Sequence, residues 1–288
     1  MKKLVLLTAI FLPHSAYCTE KHWDKHQVKQ YVHNSDLQLR SNMQHISNNL
    51  NAFIKAKSVL DIGSGDGRMS SIVSNLVSGQ VIGLEPNSNM LSWAKSQYCV
   101  EDYPNISFQK GSYSSINYEN KFDLVTGFFS FHILDPEKRD DALVAIHKSL
   151  RSGGSLVMTI PPSFEGNPEF SQAVGTTLFS KKWKKYFENR KASFKFETLT
   201  QLKKRFFNSP FSNVAVNFKE SRDPFVGKNE FVNWILGTMD FIQDVPSELR
   251  SKLASEIIEE YVRLRPDALS KDDIYYASWG RIEVFAVK

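Results

Sequence analysis

Val59-Leu60-Asp61-Ile62-Gly63-Ser64-Gly65-Asp66-Gly67 places three glycines at alternate positions where an apolar strand gives way to a helical pattern. Glycine permits the tight turn such a junction needs and lets a ligand lie against bare backbone amides at a helix N-terminus. The spacing is G-x-G-x-G, whereas a dinucleotide loop is G-x-G-x-x-G with its amides turned to a pyrophosphate. Asp61 and Asp66 are expected to set negative charge beside the ligand, repelling a pyrophosphate and suiting a cation. Asp61, Gly63, Ser64, Gly65 and Gly67 are the binding candidates here.

Downstream, Val81-Ile82-Gly83-Leu84 ends in Glu85-Pro86. A carboxylate at the end of a second strand can accept from both hydroxyls of a ribose. Ser112 and Tyr113 follow a third strand and Phe128 a fourth, where polar and aromatic groups could meet the faces of a base. Aliphatic runs at 58–62, 80–84, 106–109, 122–126 and 155–160 alternate with helical patterns at 68–76, 88–98 and 139–150. That alternation predicts an α/β, Rossmann-like, doubly wound sheet with ligands at the carboxyl ends of its strands. Polar sequence with apolar residues three or four apart predicts helix over 23–57. Beyond Pro161-Pro162 the alternation breaks. The stretches 163–207 and 225–264 are expected to form a helical, largely apolar lid, with strands at 213–218 and 281–287.

The 288 residues are 41% hydrophobic and carry a formal charge of +5, enough for one core with a lid and too mild an excess to call for nucleic acid. Lys2 and Lys3 lead into an apolar run at 4–12 and a stretch ending Ala16-Tyr17-Cys18. This is the shape of a secretory signal peptide over 1–18, cut before Thr19. The chain is then secreted or periplasmic; an uncut segment leaves it cytoplasmic. The run is too short for a permanent membrane span. Without Cys18, Cys99 has no partner for an internal disulfide. No metal site is expected, and a monomer is.

S-adenosyl-L-methionine (SAM), with ammonium and sulfonium centres, suits two acids beside a glycine turn. From 58 to 160 the chain resembles the class I SAM-dependent methyltransferases, in residues 59–67, 81–86, Phe122-Asp123-Leu124-Val125-Thr126 and Leu150-Arg151-Ser152-Gly153-Gly154-Ser155-Leu156. The resemblance implies a seven-stranded sheet whose last strand, 281–287, is antiparallel. Thr126-Gly127-Phe128-Phe129 is not the tetrad of enzymes that methylate base amines, so a small-molecule acceptor is expected. A closer resemblance is to the carboxyl methyltransferases of the trans-aconitate and juvenile-hormone-acid type, carried by Tyr31-x6-Gln38 and by Phe131-His132-Ile133-Leu134 after the fourth strand. It implies Gln38 and His132 as the catalytic, acceptor-side residues, with Ile133 where that group has a tryptophan. The other readings are a SAM-binding sensor without catalysis and an NAD(P)-dependent oxidoreductase.

Overall fold

The computed structural model describes residues 24–163, 166–190 and 195–288. The expected signal segment and its cut site lie outside them. Seven strands make one sheet: β1 (Ser58–Ile62), β2 (Gln80–Glu85), β3 (Ile106–Lys110), β4 (Phe122–Phe128), β5 (Leu150–Ile160), β6 (Ser212–Val226) and β7 (Ile274–Val287). Their order is β3-β2-β1-β4-β5-β7-β6. β1 to β5 are parallel, and β7 runs antiparallel to both β5 and β6. The chain winds outward from β1 in one direction and from β4 in the other, so a crevice opens beyond the carboxyl ends of these two neighbours.

The single helix expected over 23–57 is three: α1 (Lys25–Asn34), α2 (Asp36–Asn48) and α3 (Leu50–Lys55). Asp24 and Gln27 close a capping box at the start of α1. The breaks fall at Ser35 and Asn49, residues whose short polar side chains compete with helical hydrogen bonding. Arg68 holds the first break, donating to the Val32 carbonyl, to Ser35 Oγ at 3.4 Å and to Asp36 Oδ1 at 2.8 Å. α4 (Arg68–Leu76), α5 (Ser88–Gln97) and α6 (Arg139–Ser149) are the crossovers between parallel strands.

β6 and β7 are longer than the sequence patterns predicted. β7 pairs with β5 only over Ile282–Val287, whereas its pairing with β6 continues out to Val226↔Ile274. This two-stranded arm leaves the sheet and enters the cap, because its inward residues Phe225, Tyr275 and Ala277 are apolar and find partners there. The cap comprises α7 (Pro168–Leu178), α9 (Gly227–Thr238) and α10 (Ser247–Leu264). Phe231 of α9 stacks on Phe225 at 4.4 Å, and Tyr261 of α10 meets Phe170 of α7 at 5.6 Å. Only the end of the expected lid segment 163–207 belongs elsewhere: α8 (Leu199–Phe207) buries Leu202 and Phe206 in the sheet's own core, beside Ile282 and Val284.

Candidate active site

A cavity of about 590 Å³ occupies the crevice between the β1 and β4 ends and the cap. Gly63, Gly65, Glu85, Pro86, Ser112, Tyr113 and Phe128 line it, and so do Gln38 and His132. The three glycines all have positive φ, +74°, +57° and +85° in order. A Cβ on Gly63 would lie 2.3 Å from Ser130 Cβ, and one on Gly67 would lie 2.8 Å from the Phe108 and Tyr98 rings. At Gly65 nothing stands within 4 Å, so a side chain there would meet no protein atom.

Asp61, Ser64 and Gly67 do not line the cavity. Asp61 lies beneath the loop, 1% exposed, accepting from Ser70 Oγ at 2.6 Å and Thr126 Oγ1 at 2.8 Å. Burial raises its carboxyl above the usual range, and the two hydroxyls pull it back. Asp66 is likewise buried and raised, and is paired with Arg68 at 3.6 Å. The expectation that both acids border the ligand is therefore corrected: they brace the loop and its helix. The loop amides are engaged within the protein. Gly63 and Ser64 N–H both donate to Leu84 O, Gly67 N–H to Ser64 O, and Gly65 N–H to Glu85 Oε2 at 2.9 Å. With these amides engaged, one by a carboxylate, the loop has no anion cradle.

Glu85 also accepts from Asn87 N–H through Oε1 at 2.8 Å. Its two oxygens are thus fixed by separate backbone amides. Tyr113 is a strut as much as a wall. Its hydroxyl bonds Ser130 Oγ at 2.8 Å, and Ser130 donates to Ile62 O at 2.7 Å. Phe129, unmarked by any sequence signal, lines the cavity with φ +50°, a rare backbone for a bulky residue. Its N–H donates to Thr159 O at 2.8 Å, which holds it there.

The α1–α2 pair borders the same cavity. Tyr31 lines the cavity; burial first, and the charges of Asp66 and Glu85 next, push its phenol well above the ordinary range, so it stays protonated. Gln38 accepts from Trp234 Nε1 at 3.4 Å. His132 stacks on Phe196 at 5.4 Å, with the rings 11° from parallel. The buried Arg139 fixes this corner by donating to the carbonyls of Leu134, His132 and Lys195 and to Glu197. The cap wall is mostly apolar, from Phe170, Val174, Leu178 and Phe241, and is interrupted by Arg190 and Asp240, paired at 2.7 Å. Among the described residues, no group of three or more His, Cys, Asp and Glu is placed to hold a metal ion. None of their helices is long and apolar enough to cross a membrane.

The family described as Methyltransferase domain matches residues 59–154, which hold β1 to β4 and the start of β5. A protein of Invertebrate iridescent virus 6 named as a methyltransferase, 235L, is 24% identical over 81% of this chain and 84% of its own. The demethylmenaquinone methyltransferase of Oceanobacillus iheyensis is 27% identical over 56% of this chain and 71% of its own. Among solved structures, the YcgJ protein of Bacillus subtilis superposes with a TM-score of 0.57 at 17% identity, covering 85% of this chain and 98% of that one. A phosphoethanolamine N-methyltransferase of Haemonchus contortus, solved with SAM, gives 0.51 at 20% identity, covering 84% of this chain and 52% of that one. Residues 59–154 thus match the family described as Methyltransferase domain, and the chain shares the Rossmann-like fold of these solved structures.

Proposed function

We propose that the chain transfers a methyl group from SAM to a small-molecule acceptor, a carboxylic acid. The observation that carries this reading is Glu85. Its carboxylate is pinned by Gly65 N–H and Asn87 N–H in the lining of a cavity large enough for two small ligands. The residues suit a nucleoside: Glu85 for ribose hydroxyls, Phe128 and Ser112 for a base, and the uncovered Gly65 where a side chain would obstruct.

When bound, SAM supplies a methyl carbon on a positive sulfur, which an acceptor oxygen takes as the carbon–sulfur bond breaks and its electron pair returns to sulfur. A carboxylate needs no base for this, so the work left to the protein is to hold acceptor and donor in line. Gln38 and His132 line the same cavity, and we assign them to the acceptor.

Calorimetry with S-adenosylhomocysteine tests the cofactor half, with Glu85→Ala expected to weaken binding at least tenfold. Labelled SAM with a panel of carboxylic acids, phenols and amines tests the acceptor half. Label should pass to an acid, and His132→Ala should lower that turnover while S-adenosylhomocysteine still binds. Tight binding without transfer to any acceptor would make the chain a SAM-binding protein, and NAD binding in place of S-adenosylhomocysteine would overturn the reading.

A further inference from the structure

β6 ends the strand order, so among the described residues its outer edge has no strand beside it. Its pairing with β7 runs without a shift from Ala215 to Val226. The end of the strand fixes which groups face outward. Gly227 N–H donates to Asp273 O on the β7 side, whereas Val226 N–H goes to Glu230 Oε2. Odd positions therefore bond to β7, and Phe218, Glu220, Arg222 and Pro224 turn their backbone groups outward. Pro224 agrees with this phase, since a proline in a sheet belongs where its nitrogen meets no ladder partner. Phe218, Lys219, Glu220, Arg222 and Pro224 are exposed.

Along this edge the sequence is Lys219-Glu220-Ser221-Arg222-Asp223, which is its own charge complement about Ser221. Set antiparallel on a second copy with Ser221 opposite Ser221, Lys219 faces Asp223 on one side of the sheet and Glu220 faces Arg222 on the other. Glu220 and Arg222 then exchange their outward N–H and C=O groups, and Phe218 N–H meets Pro224 O. Other registers within the run fail. An axis on Lys219, Glu220, Arg222 or Asp223 sets that charge against its own copy, and like charges directly opposite destabilise a pair. A half step opposes an outward position to an inward one and breaks the ladder.

Charged residues on an edge strand are also the ordinary device against edge-to-edge association. A run serving only that purpose would repel a second copy in every register, whereas this one is satisfied in one. It also uses charges that the chain itself leaves open. Asp223 is paired with Arg40 at 3.3 Å and Arg222 with Asp267 at 3.6 Å, but among the described residues Lys219 and Glu220 form no ion pair. Asp223 is buried and Arg222 is exposed, which makes Glu220–Arg222 the more accessible of the two opposed pairs.

We infer that the chain forms a two-fold dimer through β6, two seven-stranded sheets continuing into one across the Ser221 axis, in place of the monomer expected from the sequence. The inference is independent of the cofactor and acceptor readings. A strand edge is small beside the about 1,200 Å² or more of a stable interface, so the dimer is weak, and salt weakens it further because charge pairs set its register.

Sedimentation velocity of the full-length protein from about 5 to about 200 μM should show a dimer at low salt that dissociates at high salt. Glu220→Arg sets like charges opposite each other at Arg222, and Arg222→Glu does so at Glu220. Each variant should raise the dissociation constant at least tenfold. Mixed together, the two should form a heterodimer as tight as the wild type, because every opposed pair is again of opposite sign. Ser221→Cys sets two thiols opposite each other in a non-hydrogen-bonded pair, whose Cα spacing of about 4.5 Å a disulfide can span. Oxidation should then crosslink the dimer well beyond the level of the wild type. A protein that stays monomeric over this range and is not crosslinked by Ser221→Cys would overturn the inference. A dimer that neither charge variant weakens, or variants that fail to pair when mixed, would overturn it too. Arg222 also reaches Asp267 and lies over the Tyr276 ring at 4.5 Å. Should Arg222→Glu disturb the fold through those contacts, Glu220→Arg and Ser221→Cys decide without it.

Discussion

Gly63, Gly65 and Gly67 look alike in sequence and differ in what surrounds them. Gly63→Ala combines a positive φ with a methyl 2.3 Å from Ser130 Cβ, and Ser130 ties Ile62 to Tyr113. Overpacking and the left-handed backbone together should cost about 3 kcal/mol or more in urea unfolding. Gly65→Ala meets no protein atom, so its cost should stay near about 1 kcal/mol while S-adenosylhomocysteine affinity falls at least tenfold. Equal stability losses in the two variants would show that the loop is not divided this way. The glycine turn and the acid that ends β2 were legible as positions in the fold, because a strand-to-helix turn with positive φ calls for glycine at fixed points. Asp61 was misread as a ligand-facing charge. Its real partners, Ser70 and Thr126, are 9 and 65 positions away, and only the packing of α4 on β1 and β4 brings them together.

At the scale of elements, parallel strands and their crossovers announce themselves by period, and β1 to β4 fall close to where the patterns put them. The β6–β7 arm does not, because its outer half alternates against the cap rather than the sheet and its length is set by partners such as Phe231. Arg139 was equally opaque. It reads as the first residue of a surface helix, yet it is 1% exposed and joins the short turn bearing His132 to Lys195 and Glu197, more than fifty positions on. Arg139→Met should leave those carbonyls and Glu197 without its guanidinium and cost about 3–5 kcal/mol. The stack of His132 on Phe196 should loosen with it. Acceptor turnover should then fall further than S-adenosylhomocysteine affinity does, since the hydrogen bonds of Arg139 go to the His132 turn, Lys195 and Glu197 and none of these reaches Glu85 or the glycine loop. An equal loss in both would mean that Arg139 supports the whole sheet edge rather than the His132 corner.

For the whole molecule, the weak joint is the seam between the N-terminal helices and the sheet, and it is made of polar groups. On α2, His45 Nδ1 faces Thr159 Oγ1 at 3.2 Å, and Gln44 Oε1 accepts from Arg281, itself paired with Glu283 at 2.7 Å. Burial, countered by Glu283 and reinforced by Arg281, lowers the His45 imidazole from 6.5 to about 4. The unfolded chain therefore takes up this proton at a higher pH than the folded one. The stability that neutral His45 preserves is complete above pH 6.5 and drains away as pH falls toward 4, by about 3 kcal/mol over the window. Asp61 and Asp66 act in the opposite sense, since their raised values mean that protonation relieves the fold as acid is added. His45→Gln keeps a polar side chain facing Thr159 and removes only the titration. Urea unfolding of the wild type and this variant at pH 7 and pH 4.5 separates the two contributions, the wild type losing about 2–3 kcal/mol more than the variant. Because α2 carries Gln38 and its junction with α1 sits beside Tyr31, S-adenosylhomocysteine affinity should weaken in the same pH window in the wild type and hold in His45→Gln. Parallel pH slopes in the two proteins would place the acid-sensitive joint elsewhere.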